Sequence, residues 1–212
     1  YKQDAKTKIY EIAKRGKTPI IVGGTGLYID ILLKNFDLPQ IESNRDLRNE
    51  LYKLSFERLK EILSKIDPES ANKISANDRK KIIRAIEIVK STGKPLSESR
   101  GINEEEFNVK WIGRNFKRDE LYFRIDKRVD LMVENGLIEE TKNLLAKHGR
   151  IPNLVNTIGY REMLGFIDNQ MSLEEAKDLL KKNTRNYAKR QLTWFRKNEN
   201  IEWNVYPEKL KK

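Results

Sequence analysis

The sequence predicts an α/β protein, a parallel-sheet core carrying a mainly helical insertion, and three observations lead there. Residues Pro19-Ile20-Ile21-Val22-Gly23-Gly24-Thr25-Gly26-Leu27-Tyr28 read as a buried-type strand, a glycine turn and the start of an apolar helix. Asn108-Val109-Lys110-Trp111-Ile112-Gly113 alternates polar and apolar residues, as a second strand does. Between and beyond them apolar residues recur at helical spacing, and a composition of 38% hydrophobic and 35% charged residues suits amphipathic helices with solvated outer faces. A chain of 212 residues is long enough for one sizeable domain with a smaller insertion.

The elements follow in order. Ala5, Ile9, Ile12 and Ala13 place a helix over Tyr1 to Arg15, with Gly16 as its C-cap and Pro19 opening the first strand. A short helix from Leu27 to about Lys34 precedes a loop, Phe36 to Asn44, that contains Pro39. Helices over Arg45 to Leu54, Phe56 to Ser64 and Arg79 to Ser91 are separated by stop and start signals. These are Asp67-Pro68, the N-cap material Asn77-Asp78, and the terminator Thr92-Gly93-Lys94-Pro95. Residues 45–105 therefore read as a helical insertion, closed by the acidic loop Gly101 to Glu106. After the second strand, helices fill Asp119 to Asn135 and Leu137 to Lys147, ended by Gly136 and Gly149, and Asn153 to Thr157 is a connector. Another helix starts near Gly159, and the capping box Ser172-Leu173-Glu174-Glu175 opens the last, running to about Asn198.

The 43 Lys and Arg outnumber the 32 Asp and Glu, a net charge of +11 that points to a polyanionic partner, nucleic acid first. No apolar run approaches the roughly 18 residues of a spanning helix and no signal-peptide pattern opens the sequence, so the protein is expected to be cytoplasmic and without a membrane partner. The absence of cysteine excludes disulfides and thiolate metal sites within this sequence, and a lone His148 beside Gly149 reads as a helix C-terminal residue, not a zinc ligand.

Five constellations carry chemistry. Gly23, Gly24 and Gly26 around Thr25 let backbone N–H groups converge at a helix mouth, which makes a phosphate or reaction-centre loop or simply a tight turn. On the last helix Lys181, Lys182, Arg185, Lys189 and Arg196 share one side. Ala176, Leu180, Tyr187, Gln191, Trp194 and Phe195 share the other, and no acidic residue occurs from Thr184 to Lys197. Cations with no i,i+4 partner call for an external anion. Over Arg79 to Lys90, Lys80 and Arg84 lie one turn apart beside Lys81, with Glu87 partly neutralising Arg84; an anion surface and an ordinary solvated face fit equally. Arg124 and Arg128, at i and i+4, can hold a diphosphate, or Asp126 and Asp130 can tie them up in helix ion pairs. Finally, Tyr160 and Arg161 at a loop-to-helix transition fit an unpaired base, and Tyr160 fits a core anchor as well.

Taken in order, five stretches resemble the tRNA dimethylallyltransferases. They are Ile21-Val22-Gly23-Gly24-Thr25-Gly26-Leu27-Tyr28; Asn77-Asp78 through Arg84-Ala85-Ile86-Glu87 with Thr92-Gly93-Lys94-Pro95-Leu96; Leu121-Tyr122-Phe123-Arg124-Ile125-Asp126-Lys127-Arg128-Val129-Asp130; Ile158-Gly159-Tyr160-Arg161-Glu162; and Tyr187-Ala188-Lys189-Arg190-Gln191 with Thr193-Trp194-Phe195-Arg196. The resemblance implies a P-loop NTPase-like core, residues 1–44 and 106–212, with the insertion 45–105 gripping a tRNA anticodon stem. It implies transfer of a dimethylallyl group from dimethylallyl diphosphate to N6 of the adenine 3′ of the anticodon, with Mg²⁺ and cations taking up the charge on the leaving diphosphate. Carried over by motif, Thr25 is catalytic in a channel lined by Gly23, Gly24, Gly26 and Tyr28, and Arg124 or Arg128 faces the diphosphate. Arg48, Lys80, Lys81, Arg84, Asn156, Thr157, Gly159, Tyr160, Arg161, Thr184, Arg185, Lys189, Arg190 and Gln191 contact tRNA. The enzyme is expected to be a monomer.

One departure is specific. The family's Walker-type G-x-x-x-x-G-K-[ST] loop and the Asp-Ser motif that supplies its general base do not occur in this sequence; Gly93-Lys94 lacks the leading glycine and follows a helix. The expectation is a chain lacking its N-terminal segment, with most Mg²⁺ ligands, so that no metal ligand is assigned here and the chain alone is inactive. The rivals are a non-catalytic RNA-binding module, which has no use for a reaction channel, and a small-molecule P-loop kinase, which has none for the basic helices.

Overall fold

Helix α1 (Lys2–Lys14) ends as its sequence requires, with Gly16 at φ +69° donating its N–H to Ala13 O at 2.8 Å. The computed structural model describes residues 1–34, 41–75, 78–96 and 106–205. The loop around Pro39, Asn77 of the N-cap pair and Gly101 to Glu105 of the acidic loop lie outside those residues. The chain falls into two compact units, Tyr1–Val109 and Lys110–Lys212.

In the first unit α1 packs against α2 (Gly26–Leu33), whose Ile31, Leu32 and Leu33 are buried. The segment Pro19 to Val22, expected as a strand, is not one. It has no regular secondary structure, and Ile20 and Val22 are 81% and 90% exposed. A strand exists only where a neighbour completes its ladder, and none of the described residues pairs with this one. Four helices follow: α3 (Arg45–Lys53), α4 (Phe56–Ile66), α5 (Pro68–Lys73) and α6 (Arg79–Thr92). Their starts are fixed by side-chain caps, Asn44 accepting from the Leu47 N–H, Ser55 from Arg58, Asp67 from Ser70 and Asp78 from Lys81. Helix α5, read from the sequence only as a joint, is a single turn and a half that Asp67 caps and Pro68 opens. The core of this bundle is Leu51, Leu59, Leu63, Ala71, Ile82, Ile83, Ala85, Ile86, Ile88 and Leu96. Glu106 bonds both Lys6 and Tyr10 of α1.

The second unit opens with β1 (Trp111–Asn115), three residues later than expected, and closes with β2 (Ile201–Val205), paired parallel with Trp111 opposite Ile201 and Gly113 opposite Trp203. Parallel neighbours need a crossover. Here it consists of α7 (Arg118–Glu134), α8 (Leu137–His148), α9 (Pro152–Asn156), α10 (Tyr160–Ile167) and α11 (Leu173–Phe195). The sequence reading placed a connector at α9 and extended α11 through Asn198, missing β2. The chain instead leaves α11 at Arg196 and re-enters the sheet within six residues. Val129, Leu137, Met163, Ala176 and Leu180 form the core of the helices.

Candidate nucleic-acid interface

In place of the expected turn, the chain bends at Gly24 and enters α2 at Gly26, and none of Gly23, Gly24 and Gly26 takes a positive φ. Thr25 is the N-cap of α2, its carbonyl accepting from the Tyr28 N–H at 3.1 Å and Ile29 at 3.4 Å, while its exposed hydroxyl makes no capping bond. Gly23 has open space on its Cβ side, Gly26 is buried, and the half-exposed Tyr28 ring lies 4.8 Å from that of Tyr1.

On α11 the structure corrects the charge reading. Lys181 and Arg185 do have carboxylate partners, supplied by α7, while Lys177 shares Asp130 of α7 with Glu174 of its own helix at 3.1 Å. Lys181 meets Asp130 at 2.8 Å with Lys177 at 3.5 Å, and Arg185 meets Asp126 at 2.6 Å. Arg185 also lies 5.7 Å from the Tyr122 ring, on whose face Arg118 sits at 5.3 Å. Tyr122, Asp126 and Asp130 are spaced i, i+4, i+8, and the α11 cations run the opposite way along the same line, so the two stripes form one antiparallel ladder. Lys181 holds the Asp130 carboxyl below its ordinary range, and Arg118, then Lys189, lower the Tyr122 phenol. Of the side of α11 expected to pack, Ala176 and Leu180 are buried and Gln191 and Phe195 half-buried, whereas Tyr187 and Trp194 are 39% and 41% exposed. Past Arg185 the helix presents Lys189 and Arg190 to solvent, and Arg196 and Lys197 at its C-terminal end are exposed as well, Arg190 lying 5.7 Å from the Tyr187 ring. Thr184 bonds back to the Leu180 carbonyl.

The two α7 arginines differ. Arg124 Nε is held by Glu120 at 2.5 Å and its guanidinium stacks 4.7 Å over Phe116, whereas Arg128 is exposed and has no partner among the described residues. Neither is tied to Asp126 or Asp130, the acids expected to compete for them. At the α10 entry, Gly159 adopts φ +107°, and buried Glu162 accepts from the Gly159 N–H at 2.8 Å, from Asn183 of α11 at 2.8 Å, and from Nε and Nη2 of Arg161 at 3.0 and 2.6 Å. Burial pushes the Glu162 carboxyl up, and the Gly159, Arg161 and Asn183 donors outweigh it, leaving it lowered. Arg161 stays half exposed, while Tyr160 packs on the core and its hydroxyl bonds Glu140. Asn156 and Thr157 are exposed, bonding Pro152 O and Asn153 O.

In the first unit Lys80 and Lys81 are exposed, Lys81 pairing with Asp78 at 2.7 Å. Arg48 and Arg84 converge on Glu87, which is fully buried. The organising acids Glu87, Asp126, Asp130 and Glu162, and Tyr122 with Arg118, were not singled out from sequence as site residues; the matching i,i+4 stripes of 122–130 and 177–189 were the available signal. Among the described residues no cluster of three or more His, Cys, Asp or Glu is placed to hold a metal, and no helix is long and apolar enough to cross a membrane.

The described residues give an α/β framework, two parallel strands joined by a helical crossover with cationic faces, and comparison with known proteins narrows that class. A family model described as IPP transferase matches residues 1–198. The tRNA dimethylallyltransferase of Halalkalibacterium halodurans is 46% identical over 209 residues, 95% of this chain and 67% of that protein. The solved tRNA isopentenylpyrophosphate transferase of Bacillus halodurans superposes with TM-score 0.65 at 42% identity, over 96% of this chain and 65% of its own. A eukaryotic dimethylallyltransferase acting on tRNA gives TM-score 0.72 at 28% identity, over 96% and 55%. The chain belongs to the tRNA dimethylallyltransferase family of prenyl-transferring enzymes, and spans about two thirds of the length of its bacterial relatives.

Proposed function

We propose that the protein carrying this chain prenylates tRNA in the cytoplasm, moving a dimethylallyl group from dimethylallyl diphosphate to N6 of the adenine 3′ of the anticodon. The bond from the allylic carbon to the diphosphate oxygen breaks, the bond from that carbon to N6 forms, N6 gives up a proton to a general base, and diphosphate leaves. The observation that carries the reading is the outer half of α11. From Thr184 to Lys197 it has no carboxylate of its own, and beyond the α7 ladder its arginines and lysines stand in solvent beside Tyr187 and Trp194. Such a surface matches a phosphate backbone and unstacked bases.

Within this reading residues 45–105 are an insertion that grips the anticodon stem through Arg48, Lys80, Lys81 and Arg84. The Gly159 loop with Arg161, and α11 from Thr184 to Gln191, hold the anticodon loop. Thr25 lines the channel where the extruded adenine meets the prenyl donor. Arg124 and Arg128 take the charge that grows on the diphosphate as the allylic carbon departs. Mg²⁺, which the family implies, would share that charge; the described residues assemble no carboxylate site for it, so no step here is assigned to it. The test is to incubate the protein as the cell makes it with isotopically labelled dimethylallyl diphosphate and tRNA, then digest to nucleosides. Label on N6-dimethylallyladenosine is expected. Tight tRNA binding with no label transferred would replace this reading with a non-catalytic RNA-binding one.

A further inference from the structure

Glu87 has no exposed surface, yet two arginines reach it from different helices. Arg48 of α3 lays Nε on Oε1 at 2.9 Å and Nη2 on Oε2 at 2.7 Å, and Arg84 of α6 places Nη1 on Oε2 at 2.6 Å. The Asn44 N–H donates to Oε1 at 2.8 Å. One guanidinium is enough to neutralise a carboxylate. The second leaves the cluster with a surplus positive charge, and a purely structural tie has no use for another cation whose partial burial costs desolvation. Both arginine side chains remain more than a third exposed, 37% and 38%, and each carries five N–H donors of which only one or two are engaged here.

We propose that Arg48, Glu87 and Arg84 form a preorganised phosphate-binding site, in which Glu87 is the positioning residue that fixes two arginine forks toward one backbone phosphate of the bound RNA. This rests on the tRNA reading above and adds to it the group that orients the contacts. Arginine binds phosphate best when its planar fork is already aimed, because ordering a long side chain at the moment of binding costs entropy. Glu87 removes that cost at both arginines simultaneously.

Charge arithmetic separates positioning from simple attraction. Glu87→Gln keeps the shape, deletes a negative charge and raises the cluster from about +1 to about +2, so a site that works by charge alone binds RNA more tightly. A positioning role gives the opposite sign. We expect the Kd for tRNA, measured by fluorescence anisotropy on the full protein at fixed salt, to rise about fivefold or more in Glu87→Gln; an equal or lower Kd overturns the proposal. Arg84→Lys and Arg48→Lys keep the charge and lose the fork. Each is expected to weaken binding severalfold with the salt slope unchanged, and affinity equal to wild type overturns the proposal by a second route. If circular dichroism shows that Glu87→Gln does not fold, these two variants decide. A wild-type protein with no affinity for tRNA sinks the broader reading and this site with it, whereas wild-type binding with indifferent variants sinks this site alone.

Discussion

Arg124 and Arg128 stand one turn apart on α7, and their sequence spacing gives no reason to prefer either for the diphosphate. Their surroundings do. Glu120 on Nε and the Phe116 ring beneath fix the Arg124 plane while its terminal nitrogens have no partner among the described residues; Arg128 has nothing to orient it. A fixed fork binds a diphosphate bidentately, and a swinging cation adds only its field. Arg124→Lys, which keeps the charge, is therefore expected to lower kcat with dimethylallyl diphosphate by roughly tenfold to a hundredfold and leave the tRNA Kd unchanged, with Arg128→Ala costing less. Steady-state kinetics against each substrate separates the two. At Gly113 a Cβ would stand 2.6 Å from Trp203 Cε3 and 2.7 Å from Ile201 Cγ2, on the paired strand. Gly113→Ala is expected to destabilise the second unit by about 1–3 kcal/mol, read as a lowered urea midpoint, because a rigid indole cannot yield as a flexible chain end does.

At the scale of elements, α11 divides its cations between two tasks. Lys177, Lys181 and Arg185 hold α11 to α7 through Asp126 and Asp130, while Arg190 and Arg196 face solvent. Replacing Arg190 and Arg196 together by Ala is expected to reduce the slope of log K for tRNA on log salt by about 1 to 2, and to leave the unfolding midpoint in place. Arg185→Ala is expected to act first on stability, since it strips Asp126 of its partner. An unchanged slope in the double variant would remove the outer half of α11 from the interface. The long helices were legible because each has an apolar period with a cap or a glycine at its end, as at Ser55, Asp78, Gly93, Gly136 and Ser172. The short helix that begins after Thr25 was legible too. What escaped was nonlocal or short. Helices α5 and α9 each begin at a proline within an apparent linker, β2 follows α11 without a strong turn signal, and the Ile20 to Val22 run carries the composition of a strand whose partner its own sequence cannot show. The acids Asp126, Asp130, Glu87 and Glu162 were visible as residues but not as organisers, because their partners lie 39 to 59 positions away in the chain for Arg48 and Arg185, and 21 away for Asn183.

For the whole molecule, the buried acids make stability a function of pH in a direction that the geometry fixes. Burial pushes the Glu87 carboxyl up, but Arg48, Arg84 and the Asn44 N–H outweigh it and bring it from 4.5 down to about 2. Glu162, in the other unit, is also lowered. A carboxyl lowered on folding releases its proton more readily in the folded state, so its stabilisation is complete above the unfolded value near 4.5 and is lost as pH falls toward the folded value. Lowering the pH from 5 to about 2 is thus expected to remove on the order of 3 kcal/mol through Glu87, at 1.36 kcal/mol per unit. Urea unfolding at stepped pH measures it: wild type should lose stability steeply across this window, and Glu87→Gln, already lower at pH 7, should decline less over the same range. Parallel curves for the two proteins would mean that Glu87 does not carry this titration. The outcome bears on function because the same protonation releases Arg48 and Arg84. Whatever RNA affinity those forks confer at neutral pH should therefore weaken in this acid window, although protonating Glu87 makes the protein more positive.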